Sequence, residues 1–290
     1  MSGTQTNLPA KATQTDIAVR AVHHIEKQIR AALPRAIDAG RFVRIVSTAI
    51  RLNPDLAACT RESLLGCVLQ AAQWGLAVND GLGAAYLIPR NQKVKGRDGR
   101  DEWVKTCTLQ VGYKGLRKLA KRSAGVSDIF SGTVYDRDIF TYRACPLDLL
   151  HEPYIGSEDR GKPRCYYAAA YREARLVAVQ IILPADAEAA RQRSDAGKKD
   201  TGPWASDYDA MARKTAIRRL CTQQLDLEAD DLLGRAARVD EAAEFDQPQE
   251  FDVGVIDAVH EVEVDKEPKR LDLPVGRLDV EATVATTVVG

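Results

Sequence analysis

The sequence predicts an α+β protein: a small, mostly antiparallel sheet with a long basic hairpin, flanked by helices, and a disordered acidic C-terminal tail. Apolar residues recur at helical spacing between residues 17 and 75, and β-branched and aromatic runs bounded by turns follow between 84 and 183. After residue 225 the apolar periodicity gives way to acids. The order of helices, strands and helices is typical of α+β proteins and argues against a doubly wound parallel sheet.

The N-terminal part predicts a leader and three helices. Residues 1–16 are polar and lack periodicity, so we expect a disordered leader. Helical spacing across 17–33 and 42–50 predicts two helices separated by a break at Pro34. Thr60 is a candidate N-cap of a third helix, which we expect to end at Gly75. The folded domain is therefore expected to span 17–225.

The middle of the chain predicts strands around one inserted helix. Residues 84–88 and 103–111 have strand character and flank a polar basic stretch at 90–100, the pattern of a hairpin with a basic tip. The further elements that we expect are a helix at 112–122, strands within 126–142, strands at 164–172 and 176–183 joined by a turn at 173–175, and a helix at 206–224.

The net charge of zero conceals a division between the body and the tail. Residues 1–222 contain 35 Lys and Arg against 23 Asp and Glu, a net charge of +12. Residues 223–290 contain 6 against 18, a net charge of −12. A basic body indicates a polyanionic partner, and the acidic segment 226–290 is expected to be mostly disordered with a separate role.

Several classes of protein are disfavoured by motifs that the chain lacks. It has no GxxxxGK[ST] phosphate-binding loop, no GxSxG elbow and no CxxC pair, and its four His lack metalloenzyme spacing. We therefore expect no nucleotide cofactor, no metal site and no catalytic residue. The six scattered Cys and the absence of an apolar run of about 18 residues favour a reduced cytoplasmic protein, away from the membrane.

Two basic helices and the hairpin tip carry the candidate binding residues. At 112–122 the cations recur at helical spacing beside a tyrosine, two glycines allow another backbone to come close, and the helix N-terminus suits a phosphate. A second basic helix spans 211–220 and follows a Gly-Pro-Trp motif at 202–204. The residues proposed to line one DNA groove are Arg90, Lys93, Lys95, Tyr113, Lys114, Arg117, Lys118, Lys121, Trp204, Arg213, Lys214 and Arg218. Trp204 fits either a core position, which we favour, or a stacking platform.

The order of five short motifs resembles the RecT family of phage and prophage recombinases. They are Leu-Ile-Pro at 87–89, Val-Gly-Tyr-Lys-Gly-Leu at 111–116 with Leu-Ala-Lys-Arg-Ser at 119–123, Val-Tyr-Asp-Arg-Asp-Ile-Phe at 134–140, Pro-Trp at 203–204, and Met-Ala-Arg-Lys-Thr-Ala-Ile-Arg-Arg-Leu at 211–220. The resemblance covers roughly 25–225. It implies binding of single-stranded DNA and annealing of complementary strands without ATP, as a ring or helical filament.

Partners and rival functions remain open at this point. The acidic tail is expected either to dock a single-strand-binding protein or companion exonuclease, or to shield the basic groove as a DNA mimic. The alternatives are a protein that protects single strands, an adaptor whose basic surface meets an acidic protein, and a metal-dependent nuclease using Asp136, Asp138 and His151. The resemblance makes the two aspartates turn or strand-end residues.

Overall fold

The structure, a computed structural model, describes residues 12–95, 101–122, 126–225, 231–245 and 249. These residues combine helices with small antiparallel sheets, which confirms the α+β class. The strands form three separate sheets rather than one. One reason is that a helix occupies the outer edge of the second strand: the backbone N–H of Thr60 donates to Lys105 O (2.9 Å), and the hydroxyl of Ser63 accepts from the Cys107 N–H (2.9 Å).

The helices and strands of the described chain follow one another in a simple order. The helices are α1 (Gln14–His24), α2 (Glu26–Ala32), α3 (Ala39–Leu52), α4 (Pro54–Ala57), α5 (Arg61–Gln73), α6 (Tyr113–Ala120), α7 (Pro184–Arg193), α8 (Asp195–Lys198), α9 (Pro203–Ser206), α10 (Tyr208–Arg219) and α11 (Leu232–Glu244). The strands are β1 (Ala85–Lys95), β2 (Asp101–Val111), β3 (Asp128–Tyr135), β4 (Ile139–Ala144), β5 (Leu147–Glu152), β6 (Pro163–Arg172) and β7 (Arg175–Ile182). A π-helical turn, Leu220–Gln224, continues α10.

Short polar side chains fix the ends of the N-terminal helices. Thr13 and Asp16 form a capping box, so α1 begins at Gln14, three residues before the expected start of the fold. The predicted cap at Thr60 is confirmed, since its hydroxyl accepts from the Ser63 N–H. Gly75 follows α5 with a φ of +59°, as a C-terminal glycine does.

The hairpin β1–β2 pairs over its whole length, from Ala85 opposite Val111 to Lys95 opposite Asp101. Its root is buried, because Leu87 and Leu109 pack into the core. Residues 96–100, which belong to the predicted basic tip, lie outside the described residues. The basic tip therefore stays a prediction.

The sheet β3-β6-β7 forms the second layer of the domain. The expected antiparallel pair β6–β7 is confirmed, and its turn consists of Glu173 and Ala174, both with positive φ (48° and 64°). That conformation matches the right-handed twist of the two strands. Helix α10 packs on this sheet, which places the second basic helix against the core.

Helix α11 differs from the sequence expectation, which placed it in a disordered tail. Its Leu233, Ala236 and Ala237 join the same hydrophobic core as α1, α3 and α5. It contacts β2, α6 and α10, and Gln249 beyond it hydrogen-bonds the backbone of Leu109 at both the N–H (2.7 Å) and the carbonyl (2.6 Å). The folded unit thus extends past residue 225. The rest of the expected tail, 226–230, 246–248 and 250–290, and the leader at 1–11 lie outside the described residues.

Candidate nucleic-acid interface

A cleft of about 600 Å³, here called the α6–α10 cleft, brings the two predicted basic helices together. It lies between the root of the β1–β2 hairpin, the first turn of α6 and the segment from α9 into α10. Its lining residues are Gly81, Leu82, Gly83, Tyr86, Ile88, Gln110, Gly112, Tyr113, Lys114, Pro203, Asp207, Ala210, Met211 and Lys214. Tyr113, Lys114 and Lys214, which sequence reasoning assigned to one groove, therefore share one cleft.

Two glycines set the position of α6 at this cleft. A Cβ atom on Gly112 would lie 2.2 Å from the carbonyl oxygen of Gly83, and one on Gly115 would lie 2.1 Å from that of Ala84. The N–H of Gly112 donates to Ala84 O (3.0 Å). The expectation that these glycines admit a neighbouring backbone is confirmed.

The first turn of α6 presents an aromatic ring and a cation to solvent. Gly112 offers no side-chain cap to the helix, so its leading N–H groups stay without a side-chain acceptor. Tyr113 is 45% exposed, and Lys114 is exposed as well. Within the described residues, no carboxylate pairs with Lys114. This turn is therefore suited to a phosphate and a stacked base.

The other cations of α6 already have partners in the protein. Arg117 makes a two-pronged ion pair with Asp128, with contacts of 3.1 Å to both carboxylate oxygens, and Lys121 lies 3.6 Å from the same carboxylate. Burial acts to raise the pKa of Asp128, but the hydrogen bonds from Arg117 and from the Ile129 N–H, together with the charges of Arg117 and Lys121, lower it. Lys118 donates to the carbonyl of Gly75 (3.1 Å). The basic stripe predicted on α6 is thus partly neutralised.

The basic face expected on α10 does not face solvent. Lys214 and Arg218 are buried, with relative exposures of 8% and 1%, because α11 covers them. The Lys214 ammonium binds Asp240 (2.9 Å), and Arg218 binds Glu244 and lies 3.6 Å from Asp240. Burial raises the pKa of Asp240. At Glu244 burial acts in the same direction, but the charges of Arg218 and Lys214 together with the hydrogen bond from Arg218 lower the pKa. Asp240 and Glu244, which were expected to belong to the acidic tail, are therefore the partners of this helix.

The remaining candidates occupy three different settings. Trp204 is 3% exposed and packs edge-on against Tyr208, which fits the core position and removes it from the surface. Arg213 is half-buried, and its guanidinium donates to the Asp209 carbonyl of its own helix (3.2 Å). On β1, Arg90 is half-buried and Lys93 is exposed, opposite Trp103, which is 68% exposed. Of Lys95 only the backbone is described.

Sequence reasoning missed two prominent residues of the cleft, Leu82 and Tyr86. Both are exposed, at 68% and 39%. Side chains alternate between the two faces of β1, so Tyr86 lies on the face opposite the buried Leu87. Its exposure could therefore be predicted from the two-residue period of a strand. Leu82 follows from no local pattern, because its position depends on the turn between α5 and β1.

Two residues of the nuclease alternative, Asp138 and His151, are engaged in contacts within the protein. Asp138 is buried and accepts hydrogen bonds from Arg160 (2.6 Å), from the Tyr154 N–H (2.9 Å) and from the Tyr135 N–H (2.8 Å). Burial acts to raise its pKa, but these donors lower it. His151 lies 3.1 Å from the same carboxylate, and among the described residues no cluster of His, Cys, Asp or Glu suits a metal ion. Asp138 thus fixes the base of the β4–β5 hairpin, as its turn position implied.

No helix among the described residues is both long enough and apolar enough to cross a bilayer.

Comparison with known proteins identifies the family. The RecT family model matches residues 40–253, which include α11. Protein RecT of Escherichia coli (strain K12) is 33% identical over 197 residues, or 68% of this chain and 70% of that protein. Protein YqaK of Bacillus subtilis (strain 168) is 24% identical over 161 residues, or 56% of this chain and 50% of that protein. The chain therefore belongs to the RecT family, and it is a DNA-binding protein of recombination that anneals single strands.

Proposed function

We propose that the chain binds single-stranded DNA in the α6–α10 cleft and anneals complementary strands without ATP, as a homo-oligomer. The observation that carries the proposal is the meeting of Tyr113, Lys114 and Lys214, from segments about 100 residues apart, in one cleft. The ammonium of Lys114 has no carboxylate partner within the described chain and is accessible to a phosphate. Such contacts supply sequence-independent affinity for DNA.

The aromatic rings on the walls of the cleft complete the binding mode. Tyr86 and Tyr113 are both partly exposed, and both line the α6–α10 cleft. A base stacked on such a ring gains about 1–3 kcal/mol whatever its identity, so the strand is held without a sequence requirement. Phosphates bound on one side leave the pairing edges of the bases accessible to a second strand.

The energy for annealing comes from the DNA. Stacking contributes on average about 1.4 kcal/mol for each base-pair step, so a protein that aligns two strands and screens their phosphates needs no nucleotide hydrolysis. Its role is to suppress self-pairing and to reduce repulsion between the backbones. Arg90, Lys93 and Lys95 of the hairpin are proposed to add phosphate contacts as the strand leaves the cleft, and neighbouring copies of the chain to extend the path.

The ion-paired cations have a different role in this proposal. Arg117, Lys121, Lys214 and Arg218 are ion-paired, so we assign them to holding α6 and α10 in place, with Lys214 also lining the cleft. Lys118 and Arg213 contact backbone carbonyls and retain their charge for a nearby phosphate. Binding of a single-strand-binding protein or an exonuclease through residues 250–290 is proposed on the charge of that segment alone.

An annealing assay with two labelled complementary oligonucleotides tests this function. We expect the same rate of duplex formation with ATP, with a non-hydrolysable analogue and with no nucleotide, above the rate without protein. A requirement for ATP would refute the mechanism. Tight binding with slower pairing would identify a protein that protects single strands, and strand cleavage in the presence of Mg²⁺ would identify a nuclease.

A further inference from the structure

A second cleft, of about 890 Å³ and here called the α3 cleft, lies beside the first. It is formed by α3 with the loop that precedes it and by the turn between α5 and β1. Its lining residues are Ala36, Ile37, Asp38, Arg41, Phe42, Arg44, Ile45, Thr48, Gly75, Ala77, Asn79, Asp80, Leu82 and Lys118. Neither the predicted site residues on α10 nor those on the hairpin reach it.

The two clefts are adjacent, because one residue, Leu82, lines both. Its side chain is 68% exposed and forms an apolar ridge between the two clefts. Helix α6 also runs along both, because Lys114 lies in the α6–α10 cleft and Lys118 in the α3 cleft. These two lysines are one helical turn apart, a rise of about 5–6 Å. A chain molecule bound in the first cleft therefore has a path over Leu82 into the second.

Local backbone structure holds Leu82 in this position. Asn79, Gly81 and Gly83 have positive φ angles of 52°, 77° and 79°. The carboxylate of Asp80 accepts from the N–H of Leu82 (2.9 Å). The ridge is therefore a defined turn that presents one apolar side chain to solvent. Apolar side chains of this kind are inserted between bases by many DNA-binding proteins.

Helix α3 offers two guanidinium groups to the second cleft. Arg41, Arg44 and Thr48 are spaced by three and four residues, so they share one face of α3, and all three are exposed. Within the described part of the chain no carboxylate pairs with either arginine. They thus differ from Arg117 and Arg218, whose charges are neutralised inside the protein.

The lining of the α3 cleft contains three cations and two carboxylates, and both carboxylates accept hydrogen bonds from backbone N–H groups. Asp38 caps α3 by accepting from the Arg41 N–H (2.6 Å), and Asp80 accepts from Leu82 as described above. Lys118 lines the same cleft, and burial and the charge of the neighbouring Arg122 lower its pKa. An anion in this cleft would offset the repulsion between these cations. Charge complementarity thus favours a polyanion over a protein segment as the occupant.

We propose that the α3 cleft is a second segment of the DNA path, in which Arg41 and Arg44 bind phosphates of the single strand after it crosses Leu82. The inference rests on the proposed function, because the first segment of the path is the α6–α10 cleft. It assigns DNA contacts to a helix far in sequence from both basic motifs. Leu82 contacts the bases at the crossing, where it separates two adjacent ones.

The salt dependence of binding to an oligo-dT of about 16 nucleotides, the upper end of common site sizes, tests this inference. The variants are Arg41→Gln, Arg44→Gln and the double change, with Lys114→Gln as a probe of the first cleft. Arg30→Gln is the matched control, since Arg30 is an exposed arginine of α2 that lines neither cleft. Each single variant at Arg41, Arg44 or Lys114 should lower the slope of log K against log salt by about 0.7, and the double variant by about twice that.

The outcomes separate the two proposals. If the wild-type chain fails to bind the oligonucleotide, the proposed function itself is wrong. If the wild type binds and Lys114→Gln lowers the slope while the Arg41 and Arg44 variants match Arg30→Gln, the α3 cleft lies off the DNA path. Mass photometry without DNA provides the second readout. A changed oligomer size in the Arg41 and Arg44 variants would show that this face is a contact between copies of the chain, and it would overturn the inference. We expect each variant to unfold at the same temperature as the wild type, because these substitutions are at exposed residues and should leave the fold intact.

Discussion

A chain that ends at Leu225 is expected to lose most of its stability, whereas one that ends at Val253 keeps it. The shorter chain lacks α11, so Lys214 and Arg218 lose Asp240 and Glu244 as partners. Breaking a buried ion pair costs about 3–5 kcal/mol, a large share of a typical 5–15 kcal/mol free energy of unfolding. The loss of Leu233 and Ala237 from the core adds to that cost.

Urea unfolding followed by circular dichroism measures this difference. The chain ending at Val253 should unfold at the same urea concentration as the full chain, and the chain ending at Leu225 at a much lower one. In case the shorter chain cannot be purified, Asp240→Ala in the full chain removes one partner and should lower the midpoint in the same direction. Equal midpoints for all of these proteins would show that α11 is not part of the folded unit.

Replacing Gly115 by alanine is expected to destabilise the protein, although alanine is the better helix former. The added Cβ would lie 2.1 Å from the carbonyl oxygen of Ala84, so α6 and β1 must move apart. Overpacking of this kind costs about 1–3 kcal/mol, and more where backbone is involved. Because Tyr113 and Lys114 move with α6, we also expect weaker DNA binding in conditions where the variant is folded.

Gly40→Ala is the matched control for that variant. Gly40 also lies in a helix, and a Cβ there would meet only Asp38 and Arg44 side-chain atoms at 3.6 Å and 3.9 Å, ordinary contact distances. It should leave the free energy of unfolding unchanged or raise it by about 0.5–1 kcal/mol. Equal effects of the two substitutions would mean that the close approach of α6 to β1 has no energetic consequence.

Local patterns predicted the elements of the site well. The apolar spacing of Leu116, Leu119 and Ala120 gave the buried face of α6, and all three are buried. The glycines at 112 and 115 correctly indicated a close backbone neighbour. The capping residue Thr60 and the turn at Glu173 were equally readable, because caps and tight turns depend on a few adjacent residues.

The pairing of charges was not readable from the sequence. Arg117 meets Asp128, 11 residues further along the chain, and Lys214 and Arg218 meet acids 26 residues away. A helical projection of the sequence shows these cations as a solvent-facing stripe, because it does not include such partners. Helix α11 was hidden for the same reason. Its buried face contains Asp240 and Glu244, and counting these as tail charges obscured the helical spacing of Leu233, Ala236, Ala237 and Ala243.

The clefts are tertiary features. The α6–α10 cleft joins residues near 82, 113 and 211, and its volume depends on how α6 packs on the β1–β2 hairpin. The spacing of the cations suggested that two basic helices line one groove, and both helices contribute residues to this cleft. The ridge at Leu82 and the guanidinium groups of α3 required the folded structure, because no motif links them to DNA.

Photocrosslinking of a 4-thiothymidine oligonucleotide to the full chain tests most directly whether single-stranded DNA lies in the α6–α10 cleft. Mass spectrometry of the crosslinked peptides should place the DNA on residues 81–88, 110–114 and 203–214, the three segments that line the cleft. The crosslinks should decrease when unlabelled oligo-dT competes. Crosslinks confined to other parts of the chain, such as the β4–β5 hairpin at 139–152, would contradict the assignment of the cleft as the DNA site.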